Sequence, residues 1–302
     1  MCRRDFAAEA AEQFLFMREK IMLWNSPVEG EFQPYLELST LDGVDEPLGM
    51  VIVFPGGGYH ARAAYEGVPV AERFNALGFH AATLEYRVHP QVCYPGPQQD
   101  ALRAVKILRS HAAELKIRPD NIAVLGFSAG GHLAGCCGTI WNEIDASGGD
   151  AADAVDARPD ALILCYPVIS LDKDFGHVGS GRRLMCSAKK LLDNEEPAPA
   201  ELEKLRLDLR VTEATPPAFL WHTATDKTVP VHNSVAFAEA MWAKGNTAEL
   251  HVFPEGPHGL GMGERHEEFP EVRVWPELAA TFLKKIGFAA VDTPQPTQEI
   301  VL

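Results

Sequence analysis

The segment that most constrains this chain runs from Asn121 to Ala134, where an apolar run leads into Gly126-Phe127-Ser128-Ala129-Gly130. Small residues suited to a helix follow directly, so the pattern predicts a strand, a sharp turn and a helix. A serine at such a turn has a strained backbone, and glycines on either side remove side chains that would collide there. The segment is predicted to be a nucleophile elbow carrying Ser128. A glycine-rich turn with a bystander serine is the alternative.

A run of three glycines marks a second stretch of interest. An almost wholly apolar run at residues 49–54 ends in Pro55-Gly56-Gly57-Gly58-Tyr59. Glycines let backbone N–H groups approach a ligand closely, and a loop at this place in the chain is where an oxyanion hole would be supplied. A phosphate-binding loop and a purely structural turn are the alternatives. No Gly-Lys-Ser/Thr follows to favour a phosphate loop.

Strand and helix patterns alternate along the chain. Apolar runs of strand length occur at 49–54, 79–84, 121–126, 161–166, 218–222 and 248–253, and helical patterns occur at 66–77, 98–115, 231–243 and 271–287. This order is typical of an α/β fold with a mostly parallel sheet and helices on both faces. Residues 167–215 fit no strand–helix unit, because glycines and prolines interrupt them. They are predicted to be a short cap-like insertion over the C-terminal edge of the strands.

The domain organisation follows from the same pattern. With 302 residues, 46% of them hydrophobic, the chain can bury a large core, and no linker interrupts it before its end. We therefore expect one domain over 1–287 and a loose tail over 288–302. Apolar residues at helical spacing predict an amphipathic helix over residues 7–22. A weak alternation of apolar and polar residues predicts an early strand over residues 32–38. That helix could pack on the body, cover the site or meet a second subunit.

Two further residues complete a catalytic pattern with Ser128. Asp226 and His258 each lie in a loop directly after a predicted strand, and the order Ser, Asp, His is that of α/β-hydrolases. Imidazole is the base suited to neutral pH, and a carboxylate fixes its tautomer. Among eleven histidines, His258 is favoured because it lies between a proline and a glycine after the last strand. The competitors are His132, His222, His251 and His266 for the base, and Asp172 and Asp174 for the acid.

Charge and cysteine content exclude several other classes. The net charge of −15 disfavours nucleic acid and anionic membrane surfaces as partners, and predicts weak attraction for highly anionic substrates. The six cysteines include no Cys-x-x-Cys pair, so buried reduced thiols are expected rather than a metal site. The N-terminus lacks an apolar signal region and no run of about eighteen apolar residues occurs. A soluble, cytoplasmic protein is therefore expected.

In combination, these stretches resemble the serine esterases of the α/β-hydrolase superfamily. The resemblance is to bacterial acetyl esterases associated with xylan and to relatives of hormone-sensitive lipase. It is carried by residues 54–59, 85–87, 126–132, 225–230 and 257–259. It implies oxyanion donors at the backbone N–H groups of Gly57, Gly58 and Ala129. The family's usual His-Gly-Gly-Gly is Pro-Gly-Gly-Gly here.

The resemblance implies a carboxylesterase that removes short acyl groups, including acetyl groups on carbohydrate, without a metal or cofactor. An amidase, peptidase or formamidase on the same fold and a ligand-binding homologue without turnover are the alternatives. Tyr59, His177 and Ser180 are candidate substrate-pocket residues, with ordinary loop residues as the alternative for the last two. Arg87 is expected to pair with Asp100 rather than to act in catalysis. The oligomeric state is left open, a homodimer included.

Overall fold

The computed structural model describes residues 16–28, 30–185 and 195–291, and an eight-stranded sheet forms its centre. The strands in chain order are β1 (Phe16–Met22), β2 (Tyr35–Leu41), β3 (Leu48–Phe54), β4 (His80–Glu85), β5 (Ile117–Phe127), β6 (Ala161–Cys165), β7 (Ala218–Thr223) and β8 (Ala248–Phe253). Their order across the sheet is β1-β2-β4-β3-β5-β6-β7-β8. The pairs β1–β2 and β2–β4 are antiparallel, and every other neighbouring pair is parallel.

Helices connect the parallel strands. They are α1 (Val68–Ala76), α2 (Gly96–Ser110), α3 (Ala129–Thr139), α4 (Val178–Met185), α5 (Pro199–Lys204), α6 (His232–Ala243) and α7 (Trp275–Lys285). Single 3₁₀ turns lie at Ala64–Glu66, Trp141–Glu143, Ala151–Ala154, Leu207–Arg210 and Pro270–Val274. Between β6 and β7, the segment predicted as an insertion contains α4, α5 and the turn at 207–210.

The core lies on both faces of the sheet, as β3 illustrates. All seven of its residues are buried. Met50, Ile52 and Phe54 belong to the apolar cluster that includes residues of α2, α3 and α6. Val51 and Val53 belong to the cluster that includes residues of α1 and α7. A strand covered on both faces has to be apolar throughout rather than alternating, and the predicted mostly parallel sheet with helices on both faces is confirmed.

The first strand corrects one prediction from the sequence. Residues 16–22 form β1 and pair antiparallel with β2, from Phe16 opposite Leu41 to Met22 opposite Tyr35. The amphipathic helix predicted over residues 7–22 is therefore wrong for this part, and residues 7–15 lie outside the described residues. Over so short a segment, apolar spacing cannot separate a helix from a strand. Pairing with β2 supplies the backbone hydrogen bonds that decide the conformation.

The start of the predicted tail is also held in place. The Gly49 N–H donates to the Ala289 carbonyl at 2.7 Å, and the Val291 N–H donates to the Gly78 carbonyl at 3.0 Å. Phe288 is buried in the cluster that contains α7. Residues 288–291 thus belong to the folded body rather than to a loose tail. Residues 292–302 lie outside the described residues.

Two smaller predictions are confirmed. The Arg87 guanidinium donates to both carboxylate oxygens of Asp100, with Nη2 2.8 Å from Oδ1 and Nε 2.9 Å from Oδ2, and both side chains are buried. Cys136, Cys137 and Cys165 are buried, reduced thiols, as expected, whereas Cys93 is only half-buried. Burial raises the pKa of the Cys136 thiol to about 12, so that it stays protonated. Cys2 and Cys186 lie outside the described residues.

The glycine before the elbow gives a test of the local packing. A Cβ on Gly126 would lie 2.0 Å from the Gly130 carbonyl oxygen. Because that atom belongs to the backbone, it cannot move aside as a side chain would. We expect Gly126→Ala to lower the free energy of unfolding by about 3 kcal/mol, measured as a fall in the urea midpoint. Gly179→Ala on α4 is the control, since a Cβ there approaches only the ends of side chains, at 3.3 Å or more. Equal midpoints for Gly126→Ala and the wild type would contradict this account.

Candidate active site

The elbow holds Ser128 in a conformation that residues other than glycine rarely adopt. Its backbone has φ 53° and ψ −117°, directly between the end of β5 and the start of α3. Three backbone hydrogen bonds, each 3.0 Å long, fix it there. The Ser128 N–H donates to the Cys165 carbonyl, and the Ser128 carbonyl accepts from the N–H groups of His132 and Val168. The surrounding sheet and helix therefore impose the strain that aims the hydroxyl away from the strand.

The three residues predicted as a triad form a hydrogen-bonded row. Nε2 of His258 lies 2.8 Å from Oγ of Ser128, and Nδ1 of His258 lies 2.6 Å from Oδ2 of Asp226. Ser128 follows β5, Asp226 follows β7 and His258 follows β8, so all three come from the C-terminal ends of parallel strands. The arrangement lets the imidazole accept the serine proton while the carboxylate holds the other ring nitrogen.

The carboxylate of Asp226 is held on both oxygens. Oδ1 accepts the backbone N–H groups of Thr228 and Val229 at 2.9 and 3.0 Å. Oδ2 faces His258 and also lies 3.4 Å from Nε2 of His222. Burial by itself would raise the pKa of the Asp226 carboxyl, but hydrogen bonds from His222, His258 and the Val229 N–H outweigh it. The pKa is held well below its usual range, so Asp226 stays ionised at neutral pH.

His222 is a fully buried partner of this carboxylate. Its Nε2 lies 2.8 Å from the Val229 carbonyl oxygen, which can only accept, so Nε2 carries a proton. Its Nδ1 lies 2.8 Å from the Ser234 hydroxyl. The same Nε2–H therefore faces both Val229 and Asp226. His258 rather than His222 is in the position of the base, as the sequence predicts. His222 fixes the loop that carries Asp226.

The glycine loop and the first residue of α3 carry backbone N–H groups without a partner. Hydrogen bonds from His60 and Ala61 to the Gly57 carbonyl, at 3.1 and 3.2 Å, fix the turn of the glycine loop. Gly57 and Gly58 have φ of 136° and 62°, which favour glycine. Within the described part of the chain, the N–H groups of Gly57, Gly58 and Ala129 have no hydrogen-bond acceptor. These are the donors that the resemblance implies for an oxyanion hole.

A buried carboxylate joins the glycine loop to the histidine loop. Oε2 of Glu66 accepts the Gly56 N–H at 2.8 Å, and Oε1 accepts the Tyr166 hydroxyl at 2.6 Å. That hydroxyl in turn accepts the Gly261 N–H at 2.8 Å, and the Tyr166 ring stands edge-on to the ring of His258 at 5.1 Å between centroids. Burial raises the pKa of Glu66, while the hydrogen bonds from Tyr166 and Gly56 oppose the rise.

The bridge that Glu66 forms between the glycine loop and the histidine loop predicts an effect of Glu66 substitutions on ester turnover. In Glu66→Gln, the amide can accept from only one of the two donors, so a buried N–H or O–H loses its partner. We expect ester hydrolysis to lose about tenfold in kcat/KM, because the two loops lose their common anchor. Glu277→Gln is the control, since that acid pairs with Arg73 on α1. An unchanged kcat/KM in Glu66→Gln would show that the loops hold their positions without the bridge.

Tyr59 lies in the core, which corrects its prediction as a pocket residue. Its side chain is 1% exposed, and its hydroxyl lies 2.8 Å from Nδ1 of His132. Nε2 of His132 lies 2.9 Å from the Leu205 carbonyl oxygen, so Nδ1 is the acceptor in the tyrosine contact. With φ 60°, the backbone at Tyr59 turns the ring beneath the loop instead of toward a ligand. Tyr59 and His132 link the glycine loop to the insertion.

His177 and Ser180 lie together but have different roles. Nδ1 of His177 lies 2.8 Å from the Ser180 hydroxyl and 3.2 Å from the Ser180 backbone nitrogen. Ser180 is fully buried, so it supports His177 and does not line a pocket. Burial lowers the pKa of His177, and the nearby His258 lowers it further. His177 is thus a neutral imidazole close to the triad.

The insertion is anchored to the body of the domain at defined points. Oδ1 of Asn233, on α6, accepts the N–H groups of Ile169 and Ser170 at 2.8 and 3.1 Å. Its Nδ2 donates to the Phe175 carbonyl at 2.7 Å. The Tyr94 N–H donates to the Leu184 carbonyl at 2.7 Å, which fixes the C-terminal end of α4. The segment that places His177 near the triad is therefore held on two sides.

The comparison with known proteins agrees with this geometry. A family model described as BD-FAE matches residues 36–241, more than half of the chain. The chain belongs to the BD-FAE family. The chain's relatives include an acetylxylan esterase and other esterases, and it belongs to the α/β-hydrolase superfamily. The resemblance predicted from the sequence is therefore confirmed.

Two curated relatives of this BD-FAE chain carry names that refer to xylan. It is 34% identical over 222 residues to endo-1,4-beta-xylanase B of Butyrivibrio fibrisolvens, covering 72% of this chain and 33% of that protein. It is 28% identical over 264 residues to the acetylxylan esterase of Xylanibacter ruminicola, covering 85% of this chain and 48% of that protein. The chain thus spans about a third to a half of the length of these curated relatives.

One solved structure is similar to this BD-FAE chain over most of the length of both proteins. It is the acetyl ester-xyloside bifunctional hydrolase of Caldicellulosiruptor lactoaceticus, at 40% identity and a TM-score of 0.81. The match covers 90% of this chain and 97% of that one. The fold is therefore shared along nearly its full extent.

A groove next to the base is open to a ligand. It has a volume of about 480 Å³ and is lined by Thr225, Lys227, Thr228, Glu255, Gly256, Pro257, His258 and Phe269. Its lining mixes hydroxyl, charged and aromatic side chains, which suits a polar substrate. Over the described ranges, no group of three His, Cys, Asp or Glu side chains is arranged to hold a metal ion.

The helices of the described residues are all too short or too polar to cross a lipid bilayer.

The roles of three residues at this BD-FAE site are not evident from the sequence, although His222 is one of its candidate bases. Glu66, Tyr166 and His222 act through partners as many as 100 positions away in the chain. The sequence contains only weak signals of these roles. Tyr166 directly follows the β6 strand, and His222 lies four residues before the predicted acid. Neither signal indicates a hydrogen bond without the fold.

Proposed function

We propose that this protein is a serine carboxylesterase that removes short acyl groups, above all acetyl groups, from carbohydrate. The observation that carries the proposal is the row Ser128, His258, Asp226, with contacts of 2.8 and 2.6 Å. Similarity to an acetylxylan esterase and to an acetyl ester-xyloside hydrolase supports the choice of acetyl groups on a sugar.

The chemistry follows from the residues. Ser128 Oγ attacks the ester carbonyl carbon while His258 Nε2 takes its proton, and Asp226 stabilises the imidazolium that forms. The carbonyl oxygen becomes an oxyanion that accepts from Gly57, Gly58 and Ala129. The alcohol leaves with the proton from His258, and an acyl-Ser128 intermediate remains. Water, deprotonated by His258, then hydrolyses the intermediate and restores the serine.

The polar mouth of the site favours a short acyl group. His177 lies near the triad, and the groove next to His258 carries Lys227 and Glu255. A long alkyl chain would displace water from these side chains without replacing its hydrogen bonds. The insertion between β6 and β7 is proposed to act as a small cap that narrows this mouth.

The test is a panel of acyl lengths together with an acetylated sugar. We expect kcat/KM to fall at least about tenfold from 4-nitrophenyl acetate to 4-nitrophenyl hexanoate, since each poorly solvated polar group costs roughly 1 kcal/mol or more. Acetate should also be released from acetylated xylo-oligosaccharides. Faster turnover of acetanilide or formanilide than of the acetyl esters would instead indicate an amidase or formamidase.

A further inference from the structure

A guanidinium group lies beside the proposed oxyanion loop. A Cβ on Gly58 would be 3.7 Å from Nη1 of Arg183 and 3.4 Å from Nδ1 of His60. A Cβ on Gly179 would be 3.3 Å from the same Nη1 and 3.6 Å from Nε2 of His177. Nη1 of Arg183 therefore lies between α4 and the glycine loop, next to His177, whose pKa is affected by His258.

Arg183 has no ion pair within the residues that the structure describes. Its one hydrogen bond there goes from Nη1 to the Gly179 carbonyl at 3.4 Å, which is long and weak. The adjacent Arg182 differs in its charge partner, because its Nε forms an ion pair with a carboxylate oxygen of Glu196 at 3.4 Å, although that atom makes no hydrogen bond within the described residues. An arginine beside the glycine loop without a carboxylate partner is available to an anionic ligand.

Two neighbouring imidazoles, those of His89 and His177, do not compete with Arg183 for an anion. Burial lowers the pKa of His89, and Arg183 and His60 lower it further. Burial also lowers the pKa of His177, followed by the effects of His258 and Arg183. Both rings are neutral at neutral pH and offer hydrogen bonds without charge. Arg183 is thus a localised positive charge in a protein whose net charge is −15.

The helix that carries this charge is held in place by the fold. Gly181 and Leu184 of α4 are buried, and the Leu184 carbonyl accepts the Tyr94 N–H at 2.7 Å. The His177 N–H, just before α4, donates to the Ser170 carbonyl at 3.0 Å. Because the helix is anchored at both ends, little ordering is needed when a ligand binds.

We propose that Arg183 binds a carboxylate carried by the ester substrate. The substrate class is an acidic ester, such as an acetylated sugar that contains a uronic acid. The planar guanidinium fork matches a carboxylate in two parallel hydrogen bonds. Its place beside Gly58 puts the carboxylate next to the loop that is proposed to hold the oxyanion. The proposal rests on the proposed function and reverses, for this one site, the expectation from net charge that anions are poorly attracted.

The test compares substrates that differ only in charge. One pair is acetylated methyl glucopyranoside and acetylated methyl glucopyranosiduronate, which place the carboxylate in the alcohol. The other pair is 4-nitrophenyl hexanoate and 4-nitrophenyl hydrogen adipate, which place it in the acyl group. We expect kcat/KM to be roughly 10- to 100-fold higher for the acid in at least one pair. Arg183→Gln should remove that preference by slowing the acid alone.

Arg182→Gln is the matched control, because it removes the neighbouring guanidinium, which forms an ion pair with Glu196, and should keep the preference. Raising the salt concentration should reduce the preference in the wild type. Equal rates for acid and neutral ester in both pairs would overturn the proposal while leaving the esterase function intact. An equal loss for both members of a pair in Arg183→Gln would also overturn it. If the wild type hydrolysed no ester at all, the proposed function itself would fail.

Discussion

Ser128→Ala is expected to lower kcat for 4-nitrophenyl acetate by about 10⁶-fold, with the fold unchanged. The hydroxyl that forms the acyl intermediate lies 2.8 Å from the His258 base, and no other group can replace it there. In a site of this kind, loss of the nucleophile removes nearly all the acceleration that the triad supplies and leaves only binding and the oxyanion donors. The measurement is the initial rate, with circular dichroism and the thermal midpoint recorded in parallel.

Ser110→Ala provides the control for this variant. That hydroxyl lies at the end of α2 and donates to the Ile107 carbonyl at 2.9 Å, away from the site. A fluorophosphonate probe gives a second readout, since it should label the wild type and Ser110→Ala covalently but not Ser128→Ala. Turnover or labelling that survives in Ser128→Ala would place the chemistry on another residue.

Asp226→Asn is expected to lower kcat by about 10⁴-fold. The Thr228 and Val229 N–H groups bind Oδ1, so the amide nitrogen of asparagine would take the place of Oδ2. There it would donate to Nδ1 of His258 and force the proton onto Nε2. An imidazole protonated at Nε2 cannot accept the proton of Ser128, so the base is lost although the geometry remains.

His222 adds a second reason to expect a loss of activity in Asp226→Asn. Its Nε2–H already faces the Oδ2 position of Asp226 at 3.4 Å, so the asparagine amide would meet a second donor there. The double variant Ser128→Ala with Asp226→Asn should be no slower than Ser128→Ala alone, because the two residues act as one unit. Losses that multiply in the double variant would mean that Asp226 contributes independently of the serine.

The fold was predictable where burial on both faces leaves its mark in the sequence. The run over residues 49–54 is apolar at nearly every position because β3 is covered by helices on both sides. Residues 16–22 form an edge strand and carry no such mark. Their apolar spacing predicts a helix, and only pairing with β2 shows them to be a strand.

The candidate site was predictable where chemistry limits the choice of residue. The elbow glycines, the acid and the base each follow a strand in an order that few folds use, so Ser128, Asp226 and His258 could be named together. Tyr59 could not be judged in this way. Its neighbours point to a ligand, but its backbone conformation, φ 60°, sends the ring into the core. The partners of Glu66 could not be identified either, because its pairing with Tyr166 exists only after the chain has folded.

The contact between Glu66, Tyr166 and Gly261 also constrains how this molecule can be redesigned or can diverge. Loops are usually exchanged one at a time when an engineer or evolution alters specificity. Here a graft that replaced only the turn after β8, or only the glycine-rich turn after β3, would leave a buried acid facing a partner of the wrong shape. The two turns and the tyrosine should therefore be transplanted together, and related proteins should vary at these places as a set.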